Sequence, residues 1–213
     1  VTSPTLRLFR DALVPGRPHA LPAANRVLYA QAGGVVVRHD GTASALAVDR
    51  AWFGAGPCTV SADGAGATVL RWELVDAAAP REDVPLLEHA MDLAPEAAWL
   101  MRCDRVDFDP GGVALPHRHR GGGIRCLIAG SLEVTVGHAP PTLVRPGEAW
   151  FESGREPVLA RASATEPTSF VRVAILPAEI RGQPSIVYVD PADAGRGRPR
   201  RYTVWVDAPI AVG

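Results

Sequence analysis

Lysine is absent: all 22 basic residues of the 213-residue chain are arginine. Schiff-base chemistry, pyridoxal phosphate carried on a lysine, and a P-loop are thereby excluded, because each needs a lysine amine. Cysteine is nearly as scarce. Cys58, Cys103 and Cys126 are odd in number and widely spaced, which speaks against a disulfide scaffold or a zinc knuckle. Reduced thiols of this kind predict a cytoplasmic protein. Neither charge dominates: 22 basic residues face 23 acidic ones with no block of like sign. Neither a nucleic-acid-binding surface nor a polybasic membrane anchor is expected from that balance. No apolar run reaches the roughly 18 residues that span a bilayer, and no signal-peptide pattern opens the chain.

What the sequence does have is a repeat. Arg26 opens RVLYAQAGGVVVRH, and 99 residues later Arg125 opens RCLIAGSLEVTVGH. Ala51-Trp52-Phe53-x-x-Gly56 recurs as Ala149-Trp150-Phe151-x-x-Gly154, and TVLRWEL from Thr68 recurs as SFVRVAI from Ser169. Three blocks in one order at nearly one offset imply two copies of a single unit. With 47% hydrophobic residues the chain can fill two small cores.

Each copy reads as all-β. Segments such as Leu132 to Gly137 and Ser169 to Leu176 are short, β-branched and bounded by the 20 prolines and 21 glycines. Closing each sheet into a barrel would remove exposed strand edges. The expected division is residues 1–83 and 84–213. Val84 to Leu93 (VPLLEHAMDL) predicts a short helix between the copies, behind an Ala-Pro-rich joint at 77–85. Ala192 to Arg201 reads as a polar loop, followed by a returning strand, RYTVWVD.

The second copy resembles the cupin superfamily. Gly111 is followed five residues later by His117-Arg118-His119, and Gly130 closes that first motif. Pro146-Gly147-Glu148, the strand Ala149-Trp150-Phe151 and the turn residue Gly154 follow the second motif. The resemblance covers Leu100 to Ile175, and through the repeat about residues 20–76. It implies two tandem jelly-roll barrels (double-stranded β-helices), a divalent metal such as Fe, Mn, Ni or Zn, and a homodimer as the default assembly.

The departures from that pattern are specific. The usual glutamate ligand falls on Gly123, the third histidine on Pro157 and the following Asn on Arg161. In the first copy the histidine positions hold Pro18 and Ala20, so that barrel is expected to be degenerate. His117 and His119 alternate along a strand and share a face. They are the candidate metal ligands, and Glu152 is the candidate carboxylate partner, with Glu148, Asp107 and Asp109 as other nearby acids. Glu148 is expected to cap a turn. The contrary reading of the histidines is a relic of a metal site.

Arg125 and Arg161 are the candidate substrate-binding residues, since a buried guanidinium needs an anionic partner and suits a carboxylate. The bland alternative pairs them with Glu152 or Glu156 as framework, and Arg26 at the matching place in the metal-free copy favours it. Gly121-Gly122-Gly123 reads either as a flexible turn or as a widened mouth. Three functions stay open: a metal-dependent oxygenase, isomerase or lyase acting on a small anionic molecule; a non-catalytic small-molecule-binding or sensor module; and a structural protein. A carboxylate within reach of both histidines favours the first, a dry or arginine-lined cavity with disordered histidines the second, and a filled barrel interior the third.

Overall fold

A computed structural model describes residues 3–80, 83–196 and 200–212. The chain divides into two compact units, residues 1–97 with 210–213, and residues 98–209. The first unit is one antiparallel sheet of five strands: β1 (Thr5–Leu13), β2 (His19–His39), β3 (Thr42–Leu46), β4 (Ala51–Val75) and β5 (Leu87–Ala90), in the order β3-β2-β4-β1-β5. Asp40 and Gly41, both at positive φ, form the two-residue hairpin that joins β2 to β3.

Strands β2 and β4 are long because each changes partner as it runs. Val27 pairs with both Phe53 and Trp72, whereas Val37 pairs with Val60 and Ser44. Gly33 permits the bend: at φ 70° it sits where a Cβ would collide with the Gly66 carbonyl oxygen. Leu13, Leu21, Leu28, Val35, Val37 and Val69 pack into one apolar core inside this unit.

Among its described residues the second unit contains ten strands: β6 (Trp99–Phe108), β7 (Val113–His119), β8 (Gly123–Ala129), β9 (Leu132–Val136), β10 (Thr142–Val144), β11 (Ala149–Glu152), β12 (Val158–Ala162), β13 (Thr168–Pro177), β14 (Ile186–Tyr188) and β15 (Arg200–Ile210). They form two five-stranded sheets, β10-β9-β12-β7-β14 and β11-β8-β13-β6-β15. Alternation along the strands sends Val106, Phe108, Leu127, Val134, Val158 and Phe170 into a shared core. The chain is thus all-β, with two jelly-roll units in tandem.

Three expectations change. The helix over Val84 to Leu93 is not there; Leu87 to Ala90 is instead a strand paired with Leu8 to Thr5. Two prolines, Pro85 and Pro95, bracket too few residues for a stable isolated helix, and the open edge of β1 offers pairing instead. Because β5 belongs to the first sheet, the division falls after Ala97 rather than after residue 83. The joint at 77–85 lies partly outside the described residues, at 81–82. The polar stretch from Ala192 to Arg201 contains a 3₁₀ turn, Pro191–Gly195, capped by the Asp190 side chain, and Arg200 already belongs to β15. Residues 197–199 of that stretch lie outside the described residues.

Candidate functional site

The two sheets of the second unit bring polar side chains together inside the barrel. From β7 come His117 and His119, two apart on one face, with ring centroids 4.9 Å from each other. From the facing sheet come Arg125 of β8, Glu152 of β11, Arg172 of β13 and Asp104 of β6. Arg172 is the cross-strand partner of both Arg125 and Asp104.

Glu152 is held on every side. Trp150 donates its indole N–H to Oε1 at 2.8 Å, and Arg125 Nη2 lies 2.7 Å from Oε2. His119 Nε2 lies 3.3 Å from the same oxygen. Both approaches to Oε2 lie off the hydrogen-bond axis, so charge rather than directed bonding holds Arg125 there. Burial alone would raise the Glu152 pKa, but the Arg125 charge and the His119 contact hold it well below the ordinary carboxylate range. Arg125 is likewise lowered, to about 10, by burial that Glu152 only partly offsets. Arg172 makes a two-pronged pair with Asp104, Nε to Oδ1 at 3.0 Å and Nη2 to Oδ2 at 2.5 Å.

The histidine tautomers follow from their neighbours. His119 Nδ1 faces Arg172 Nη1 at 3.5 Å, and a guanidinium can only donate; the hydrogen of His119 is therefore on Nε2, toward Glu152. His117 Nδ1 faces the Leu115 carbonyl oxygen at 2.7 Å, so it carries the hydrogen and leaves Nε2 as a lone pair. Burial lowers both imidazole pKa values, that of His119 to about 3, and keeps both rings neutral at pH 7.

This arrangement does not fit a metal ion. A cation would need lone pairs from both histidines and from Glu152. His119 turns Nδ1 to Arg172 and its Nε2 hydrogen toward Glu152, Glu152 already faces a guanidinium, and only His117 Nε2 presents a lone pair. Among the described residues no group of three His, Cys, Asp or Glu side chains is placed to hold a metal. Nor does Gly123 leave room for the missing glutamate. It is buried in β8 opposite Ala174, and a Cβ there would collide with the Val173 carbonyl oxygen. Gly121 and Gly122 lie in the turn between β7 and β8, and Gly121 and Gly123 let two backbones approach closely rather than widen a mouth.

Arg161 is not part of the cluster. Val158 and Ala160 of β12 point inward, so Arg161 points outward, where its exposed side chain lies 3.8 Å from Glu133. The inward position predicted from its motif slot is corrected by that parity. Glu148 accepts a hydrogen bond from the Arg145 amide at 2.8 Å and closes a turn. Asp107 pairs with Arg105 and Ser169, and Asp109 with Arg201, both away from the histidines.

One residue of the cluster was missed in the sequence. Arg200 is 7% exposed and lines the same small chamber, of about 20 Å³, as His117, His119 and Arg125. Its Nε donates to the Tyr202 hydroxyl at 2.6 Å and its Nη2 to the Tyr188 hydroxyl at 3.2 Å. Among the described residues no carboxylate pairs with it. Beside the chamber lies a larger cavity of about 430 Å³, and His119, Arg172 and Tyr202 form a wall common to both. Pro184, Ile186 and Val204 give this cavity an apolar side; the Arg172–Asp104 and Arg102–Asp207 pairs, Gln183 and Ser185 give it a polar one. The signal for Arg200 was its place directly before RYTVWVD, as the first residue of β15, which the polar run ahead of it disguised.

No protein-family model matches the sequence, and no curated protein matches it. Solved structures do. An oxalate decarboxylase from Lactobacillus farciminis in complex with formate aligns over 92% of this chain and 85% of its own, with TM-score 0.65 and 14% identity. A salicylate 1,2-dioxygenase from Pseudaminobacter salicylatoxidans aligns over 95% and 75%, with TM-score 0.59 and 11% identity. A cupin 2 conserved barrel domain protein from Leptotrichia buccalis aligns over 82% and 86%, with TM-score 0.54 and 14% identity. Similarity at this level of identity concerns the fold alone: the chain has the fold of these cupin structures, two jelly-roll units in tandem.

Proposed function

We propose that the second unit is a non-catalytic binding module for a small carboxylate-bearing molecule, held by arginine and tyrosine without a metal. The observation that carries this reading is Arg200: a cation buried in the barrel whose visible partners are two neutral phenols. Arg125 and Arg172 each have a carboxylate, so the chamber holds one positive charge in excess. Burying an unpaired charge is costly, and an anionic ligand offsets that cost.

The cavity gives such a ligand somewhere to lie. About 430 Å³ is within the range of small-molecule sites. The inner chamber takes about one water-sized group, so the acid group reaches Arg200 as the Tyr202 ring, 38% exposed, moves aside. A filled interior would favour a structural barrel, but filling alone gives no reason to enclose a cation and a bare imidazole nitrogen. The oxalate, formate and salicylate named for the neighbouring structures are carboxylates too, which supports the ligand class and not any one compound.

Thermal denaturation across a panel of small carboxylates tests the reading, with Arg200→Gln beside the native protein and metal content measured by mass spectrometry. Stabilisation by carboxylates that Arg200→Gln abolishes, in protein without stoichiometric metal, is the expected result. Stoichiometric metal that disappears in a His117→Ala, His119→Ala protein would overturn it in favour of the metal-dependent alternative.

A further inference from the structure

We infer that the ligand carries a hydroxyl beside its carboxylate, as a 2-hydroxy acid does, with His117 accepting the hydroxyl hydrogen. This rests on the carboxylate reading above and narrows it to a substrate class.

The argument is a count of hydrogen-bonding groups around the chamber. The Leu115 carbonyl fixes the hydrogen of His117 on Nδ1, so Nε2 can only accept. The ring is 5% exposed, and among the described residues Nε2 meets no partner. Two groups around it are donors: Arg200 Nη1 has no partner among the described residues, and the Tyr202 hydroxyl, which accepts from Arg200, keeps its own hydrogen to give. Glu152 also lines the chamber but already faces Arg125, so His117 Nε2 is the lining acceptor that no cation answers.

A plain carboxylate, which only accepts, answers the donors and leaves the imidazole lone pair unmatched in a buried place. A ligand with a hydroxyl next to its acid group answers both. With the Tyr202 ring moved aside, its carboxylate meets Arg200 and its O–H donates to His117 Nε2; both residues line the chamber. The rest of the molecule extends into the larger cavity, against Ile186 and Val204. A site that matches a donor with a buried acceptor rejects the analogue without that donor strongly, because the acceptor is then left dry and unpaired.

The test is calorimetric titration of the full chain with three acids: 4-methylpentanoate, 2-hydroxy-4-methylpentanoate and 2-methoxy-4-methylpentanoate. The hydroxy acid is expected to bind at least about tenfold more tightly than the other two, the equivalent of one matched hydrogen bond. In His117→Phe, which keeps a ring and removes the acceptor, the three affinities should converge. Equal binding of all three to the native protein would overturn the hydroxyl inference and leave the carboxylate reading standing. A preference that survives His117→Phe would remove His117 from the role. Failure of all three to bind would overturn the carboxylate reading and the inference with it.

Discussion

The two units carry the same arginines and do different things with them. Arg26 and Arg125 occupy matching places in the repeat, and both are buried against a glutamate. Arg71 and Arg172 also match, and both pair with an aspartate, Asp11 and Asp104. What differs is the source of the glutamate. In the first unit it is Glu73, which lies beside Arg71 on β4 and bridges both arginines. In the second it is Glu152 of β11, at the place where the first unit has Gly54 packed under Trp52. The first unit closes the rest of its interior with Leu13, Leu28, Val35 and Val37. The second admits His117, His119 and Arg200. An arginine–carboxylate pair present in both copies belongs to the framework; the residues found in one copy alone are where function is to be sought.

Removing a framework arginine should have the largest effect. Arg125→Met leaves Glu152 buried without its cation and is expected to cost about 3–5 kcal/mol in urea denaturation. Arg26→Met should cost less, because Arg71 Nη1 still lies 2.9 Å from Glu73. Equal losses would break the comparison. Next is Gly123→Glu, which puts a glutamate where the cupin motif carries one. It should cost about 1–3 kcal/mol through the clash with the Val173 carbonyl and should bring no metal binding, checked by denaturation and mass spectrometry together.

The histidine pair distinguishes the units by pH. In the folded protein burial lowers both pKa values, that of His119 to about 3, whereas in the unfolded chain each histidine takes up a proton near pH 6.5. Below that pH the unfolded state binds more protons, so stability falls as pH drops, by up to about 1.4 kcal/mol per pH unit for His119, with His117 acting in the same direction. Denaturation midpoints measured from pH 7 down to pH 5 should show this slope, and a His117→Gln, His119→Gln protein should lose most of it. The smallest effect belongs to Arg161→Ala. Its exposed pair with Glu133 is worth within about 0.5 kcal/mol, and carboxylate binding should be unchanged.

Much of this was legible in the sequence. The repeat announced two units, the punctuated β-branched runs announced strands, and the one-residue spacing of His117 and His119 placed them on one face. Arg26 already hinted that Arg125 is framework. What escaped depends on contacts distant in sequence. VPLLEHAMDL has the spacing of a short helix, and only the open edge of β1 turns part of it into a strand. Arg200 follows a polar run, and its burial comes from β15 returning beside β6. Arg161 is a different case: Val158 and Ala160 flank it as apolar neighbours at the alternate parity, and that local signal was outweighed by its motif slot. The pairing of Glu152 with Arg125 and the orientation of the His119 ring lie in side-chain geometry that no spacing encodes.

The central claim is that the second unit holds a carboxylate through Arg200 and without a metal. Calorimetric titration of chelator-treated protein with 2-hydroxy-4-methylpentanoate, native and Arg200→Gln side by side, tests it most directly. The account predicts binding that persists in the chelator and is lost in Arg200→Gln. Binding that appears only when Fe(II) or Mn(II) is restored, or that Arg200→Gln leaves intact, would contradict it.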